Sequence, residues 1–353
     1  MSAGEYIDQI ILQLDFDGLD LFSDHQGIVK KSFSDILRML LTDGPQILFN
    51  GEFFEELFSS FMYEIVELKP MMIQVLCIAC FFTLGNRLLE GKNIRITKIS
   101  FLMIYAMVLF LLMKPFAGVV EIVESGLSDM LSFMTAFIPT YSSCLVLMGK
   151  PVSASIFSQF TFLLIYVVEW GIKKIVFPLI HAFVFIVFLN HVFEEEKLSK
   201  LAELIRHVID WILKISSGCI LSFGAVQSLL APAKDKVASG GLLKGAQMIP
   251  GVGNSVDSVA EVLLGCGVIV KNSVGTTALL ILFSICLMPL VRIWIVNIAY
   301  RLLAAIMEPL SDGRIVKMTH GIAQALEVYF KTMLYAMMLF VIVIAMLSTS
   351  TGS

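Results

Sequence analysis

Eight stretches of this chain are apolar over roughly the length that crosses a bilayer, and this feature limits the folds open to it. A helix needs about 20 mostly apolar residues to cross hydrocarbon. No water is present there, so every backbone polar group must find its partner inside the segment. The stretches are Met71–Arg87, Ile99–Val119, Leu131–Gly149, Ser153–Trp170, Ile175–His191, Ile215–Ala231, Thr276–Tyr300 and Leu326–Leu347. The expected fold is all-α, a polytopic helical membrane protein of about eight spans. Composition agrees, with 58% hydrophobic and 15% charged residues and a mean hydropathy of +0.87. A soluble domain carries roughly 25% charged residues. The net charge of -4 leaves no basic footprint for nucleic acid.

Charge divides the chain in two. Residues 1–68 hold 13 of the 29 acidic residues and three basic ones, Lys30, Lys31 and Arg38. Phe33, Ile36, Leu37, Leu40 and Leu41 fall at helical spacing, and Phe53, Phe54, Leu57, Phe58, Phe61 and Ile65 repeat the pattern. Residues 1–68 therefore read as a small acidic helical domain and 69–353 as the membrane domain. The loop 86–98 carries Arg87, Lys92, Arg95 and Lys98, which places it in the cytoplasm by the positive-inside rule. The next gap holds Glu121, Glu124 and Asp129 and reads as an outside loop, with the acidic N-terminal domain outside as well. Alternation puts 194–214 in the cytoplasm, and Arg301, Arg314 and Lys317 follow if 262–270 does not cross. The same alternation strands Lys173, Lys174, Lys234, Lys236 and Lys244 outside, against the rule.

Residues 194–214 form the clearest amphipathic element. Leu198, Leu201, Ile205, Val208 and Ile212 make an apolar stripe, while Lys197, Lys200, Glu203, Arg206 and Asp210 face away. With Trp211 near its end, such a helix suits the headgroup plane of the bilayer. The alternative is a connector packed on neighbouring spans.

Residues 240–275 are glycine-rich and invite a functional reading. They include Pro250, Gly251, Gly253, Asp257, Glu261, Lys271, Asn272 and Gly275. The apolar part, Val262–Val270, is nine residues long between Glu261 and Lys271, too short for a span. It is expected to re-enter or to form half of a broken helix, with Pro250, Gly251 and Gly253 turning the chain. Asp257 and Glu261 share a helix face at i, i+4, and ionisable groups at membrane depth mark channel or assembly sites. The alternative is an ordinary helix start, the two carboxylates favouring its N-terminal dipole.

Enzyme motifs fail on inspection. His191-Val-Phe-Glu-Glu lacks the second histidine of a zinc helix, and Gly240-Gly-Leu-Leu-Lys-Gly lacks the Lys-Ser/Thr of a phosphate loop. Cys77-Ile-Ala-Cys80 has redox spacing but lies mid-span. All six cysteines sit in apolar stretches and read as small hydrophobes. Neither a cofactor nor a metal site is expected. His181 follows Pro178 in an apolar span, where it reads as a buried, hydrogen-bonded residue or as a proton relay.

The run Ile249-Pro-Gly-Val-Gly-Asn-Ser-Val-Asp-Ser-Val-Ala-Glu-Val-Leu-Leu-Gly-Cys-Gly-Val-Ile-Val-Lys-Asn-Ser-Val-Gly275 resembles the signature of the stage III sporulation protein AE family. Gln227, Asp235, Arg301, Pro309, Asp312 and Arg314 extend the likeness, which covers the chain from about Lys69 onward. The family's usual Ser-Asp pair stands here as Asp257-Ser258. Met1–Glu5 has neither the basic start nor the apolar run of a secretory signal, with which members usually begin. A mature or trimmed form is therefore the expectation. The resemblance implies a multi-pass protein of the mother-cell membrane surrounding the forespore. It would be a permease-like part of a secretion-like channel complex with other stage III sporulation A-operon membrane proteins. Through that complex it would meet stage II sporulation protein Q of the forespore and sustain late forespore gene expression. A stand-alone ion-coupled transporter using Asp257, Glu261 and His181 is the alternative.

Overall fold

The computed structural model describes residues 16, 18–20, 32–42, 51–89, 94–147, 151–192, 198–219, 222 and 253–350. Among them the secondary structure is helical. The helices are α1 (Phe33–Thr42), α2 (Gly51–Leu89), α3 (Ile94–Leu147), α4 (Pro151–Gly171) and α5 (Phe177–Val192), then α6 (199–219), α7 (Gly253–Met307) and α8 (Gly313–Ser350). One π-helical turn, Ile172–Val176, joins α4 to α5 without a break.

Among the described residues five continuous runs are long and apolar enough to cross a membrane: Phe58–Leu84, Ile99–Val146, Ala154–Asn190, Ile269–Met307 and Gly313–Ala345. Two neighbouring pairs of the eight expected stretches fuse, and a third stretch, Ile215–Ala231, runs beyond the described residues, which leaves five. Ile99–Val119 and Leu131–Gly149 fall largely in α3, and the supposed loop with Glu121, Glu124 and Asp129 is helix. Charge does not break a helix, and glutamate is a good helix former. The buried stripe Val119, Val123, Leu127 and Met130 runs straight through this charged waist, with Glu121 and Glu124 turned outward. Ser153–Trp170 and Ile175–His191 fuse likewise across the π turn, spanned by an i, i+4 ion pair between Lys173 and Glu169 at 2.8 Å. Ile215–Ala231 begins in α6, and 220, 221 and 223–231 lie outside the described residues.

The re-entrant expectation for Val262–Val270 gives way as well. The backbone is helical without interruption from Gly253 to Met307, so Asn254–Ala260 lengthen the short segment into a long helix. Gly265 and Gly267 weaken a helix without stopping it.

The hairpin of α7 and α8 is the centre of packing. α3 lies against both, α5 against α8, α2 against α3 and α7, and α4 against α3. Phe116, Phe133, Phe137, Tyr141, Tyr300, Tyr329 and Phe340 fill the interior. Tyr300 donates its hydroxyl proton to the Leu112 carbonyl and Tyr105 to the Phe188 carbonyl at 3.1 Å, stitching α3 to α7 and α5.

α1 follows the sequence reading, with Phe33, Ile36 and Leu37 buried. It packs on α7, and Phe16 stacks on Phe33 at 5.4 Å. The second amphipathic stripe, Phe53–Ile65, opens α2, so the division at residue 68 falls inside one continuous helix.

Candidate functional site

α8 is apolar on most sides but not on all. Lys317, His320, Gln324, Glu327 and Lys331 recur at three and four residues and so share one face. Over 14 residues (331 − 317) that stripe rises about 21 Å through the bundle. α6 and α7 meet it with polar groups of their own, Glu203 and Arg206 from the first, Asn297, Arg301 and Glu308 from the second. Together they make a polar seam in an apolar molecule.

Glu327 is the node of the seam. Its carboxylate accepts from Arg301 at 2.6 Å, Lys331 at 2.9 Å and Arg206 at 3.2 Å. Arg301 also donates to the Asn297 side-chain oxygen at 2.9 Å, and the Asn297 amide donates to the Ala323 carbonyl at 2.6 Å. Three cations on one carboxylate from three helices fix the register of α6, α7 and α8. Below them opens a cleft of about 690 Å³. Its polar wall includes Glu203, Arg206, Arg301, Glu308, Lys317 and His320, and its apolar wall includes Phe183, Val187 and Ala304. Gly321 sits between α8 and α5, where a Cβ would run into Val187.

The turn below the seam is held by side chains. Asp312 caps α8, accepting from the Arg314 backbone N–H at 2.9 Å, and its carboxylate also takes the Arg314 guanidinium at 3.0 and 3.2 Å. That guanidinium lies 3.4 Å from the centre of the Phe101 ring, which ties the turn to α3. Burial works to raise the Asp312 pKa, but the Arg314 hydrogen bonds and charge outweigh it and hold the carboxyl below its ordinary value. Asp312, Arg314 and Arg301 thus have structural duties that their place in the family motif did not reveal.

A second polar feature lies where α2 meets α7, at the charged waist of α3. Glu64, buried, pairs with Arg292 at 2.8 Å. His181 is exposed on α5, not buried as one reading had it, and shares a hydrogen bond of 3.2 Å with the Tyr329 hydroxyl.

The residues singled out from sequence are not gathered at the seam. Pro250 and Gly251 lie outside the described residues, Gly253 opens α7, and Asp257 and Glu261 stand on its helical backbone. Lys271 is fully buried, Gly275 is buried and Asn272 is exposed. On α6 the apolar surface divides into two strips. Ala202, Ile209 and Leu213 are buried, with Ile205 half-buried, whereas Leu201, Leu204, Val208, Trp211 and Ile215 are exposed. The single stripe expected through Leu201, Ile205 and Val208 is therefore shared between the docked and the open side. Arg206, expected to face away, reaches Glu327. The seam was missed, although the period of Lys317 to Lys331 within an apolar helix was there to be read.

A family model described as stage III sporulation protein AE matches residues 31–351. Stage III sporulation protein AE of Bacillus subtilis (strain 168) is 22% identical over 338 residues, covering 94% of this chain and 83% of that protein. No solved structure matches the chain. The signature around Gly253–Gly275, the Asp312–Arg314 turn and a match over nearly the whole length agree: this chain belongs to the stage III sporulation protein AE family, whose members serve sporulation.

Proposed function

We propose that the chain is a non-enzymatic, permease-like component of a secretion-like channel complex in the mother-cell membrane, connecting mother cell and forespore. The observation that carries this reading is the polar seam. Ionisable side chains within apolar helices are costly, and they are kept where they face a watery path or a partner chain. Here Arg206, Arg301, Glu327 and Lys331 are all partly exposed, so the seam is open on one side rather than closed into a core.

A component of an assembly also has apolar surface to bury on its neighbours. Phe162, Leu163, Tyr166 and Val167 form such a flank on α4, and Leu201, Leu204, Val208 and Trp211 another on α6. On this reading the neighbours are the other stage III sporulation A-operon membrane proteins. Stage II sporulation protein Q is reached through them, and the N-terminal region faces the intermembrane space.

The test is late forespore-specific reporter expression in strains carrying Glu327→Gln or Arg301→Gln, at matched amounts of membrane-inserted protein. Reporter activity should fall at least tenfold. Wild-type activity in both strains would remove the seam from the mechanism. Recovery of the detergent-solubilised protein alone, never with partners, would instead favour an ion-coupled transporter.

A further inference from the structure

The longest helices of this molecule exceed one bilayer, and the charged groups outside the polar seam say where the bilayer ends. Ile99–Val146 is 48 residues, about 72 Å at 1.5 Å per residue, against a hydrocarbon core of about 30 Å. Hydrocarbon can therefore cover less than half of α3.

Contacts between helices place a belt of charge at a single level. On one side of it Phe116 and Phe177 pack on Tyr329. On the other, a Cβ at Gly126 would touch Pro289 and Met333, so α3, α7 and α8 pass closely there. Between or beside those contacts lie Glu121 and Glu124 of α3, Arg292 of α7 with its partner Glu64, and Lys173 and Lys174 ahead of Phe177. Glu121, Glu124 and Lys174 are exposed. The opposite limit is the turn where Arg314 covers Phe101. From Phe101 to Glu121 is 20 residues (121 − 101), about 30 Å of helix.

The two halves on either side of the belt differ in kind. The half toward Phe101 presents Met103, Met107, Phe110 and Phe185 outward. Its α3 and α5 segments, 99–119 and 177–190, hold one serine and no threonine. Its one exposed lysine on α3, Lys114, is two turns from the belt and can extend its ammonium toward it. The other half, 130–171, holds nine serines and threonines. The N-terminal segment packs there, with Gly18 3.7 Å from Ala136 by its notional Cβ. That segment brings the polar group in which the Ser34 N–H donates to Asp20 at 3.1 Å. α1, which carries Asp35 and Arg38 and packs on α7, joins this segment through that bond, and such charges are costly in hydrocarbon.

We infer that the bilayer occupies only the slab between the Arg314–Phe101 turn and the charged belt. The far half of α3 with α4 then stands outside the hydrocarbon, on the side of the N-terminal helix; from Glu121 to Val146 this shaft is 25 residues (146 − 121), about 37 Å. The partner of the slab is lipid acyl chain. The inference rests on helix length and the placement of charge, and it stands or falls independently of the channel reading.

The experiment is photolabelling of the full-length wild-type chain in phosphatidylcholine vesicles that carry a diazirine at the end of one acyl chain, with peptides identified by mass. Label is expected on 99–119 and absent from 151–168. Label on 151–168 would overturn the inference, whether or not 99–119 is labelled, and would return α4 to the role of a span. Absence of label from 99–119 would overturn it equally. A water-soluble carbene reagent is applied in parallel, because a protein neighbour on α4 would also keep acyl chains away; absence of that label from 151–168 would count against the shaft. Sporulation plays no part in the readout.

Discussion

The pair α7–α8 and the pair α3–α4 are both long, apolar and packed along one another, yet their surfaces differ. α7 and α8 place Ala278, Leu282, Ile293, Leu326 and Tyr329 wholly inside. Polar groups on them are tied into Glu327, the Asp312 turn and the Arg292–Glu64 pair. α4 leaves Leu163, Tyr166 and Val167 more than half exposed and carries hydroxyls along its length. One pair is a scaffold with a polar seam, and the other is a flank. Hydropathy is nearly the same for both, so the distinction comes from which side chains meet.

The seam should be the costliest place to break that scaffold. Glu327→Ala leaves Arg206, Arg301 and Lys331 crowded with no counter-charge. Removing one partner of a fully buried pair costs about 3–5 kcal/mol. With Glu327 27% and Arg301 47% exposed, roughly 2–3 kcal/mol is expected here. Thermal unfolding in detergent would measure it. A change under about 0.5 kcal/mol would mean that the three cations are solvated separately.

Close approach comes next. Gly321→Ala forces α5 from α8 at Val187 and should cost about 1–3 kcal/mol, with Val187→Ala restoring part of the loss. Gly126→Ala should cost less, because its nearest neighbour is the movable end of Met333. Equal costs at the two glycines would sink the view that α5 and α8 are rigidly apposed.

The Asp312 cap should contribute about 1 kcal/mol, lost in Asp312→Ala. Its sign with pH follows from the lowered carboxyl. The folded state holds Asp312 below its unfolded pKa, so its stabilisation is complete above the unfolded value of about 3.9 and fades as pH falls through the folded one. Wild type should therefore lose its margin over Asp312→Ala below about pH 4. A margin that is constant from pH 7 to pH 3 would count against the cap.

The smallest effect belongs to the flank of α6. Leu201→Ser and Val208→Ser change exposed residues, and in detergent each should shift stability by less than about 0.5 kcal/mol. Ile209→Ser, wholly buried, should cost several times more. Equal losses at Leu201 and Ile209 would show that the open strip is also docked.

The sequence by itself determined the class of the molecule. Runs of about 20 apolar residues can only be helices in a bilayer, and the period of Phe33, Ile36 and Leu37 located α1 and its buried face. The family signature was legible for the same local reason, since it is a contiguous run. Helix continuity was not, because Glu121, Glu124, Glu169 and Lys173 mark polarity, while continuity depends on a buried stripe that runs on beneath them. Nor did the sequence say that Arg206, Arg301 and Lys331 converge on Glu327, groups up to 121 residues apart in the chain. Convergence is set by which helices pack and in what register, and those follow from tertiary contacts such as Gly321 against Val187 and Gly126 against Pro289. Local chemistry chose the helices, and the packing between them decided where the charges meet.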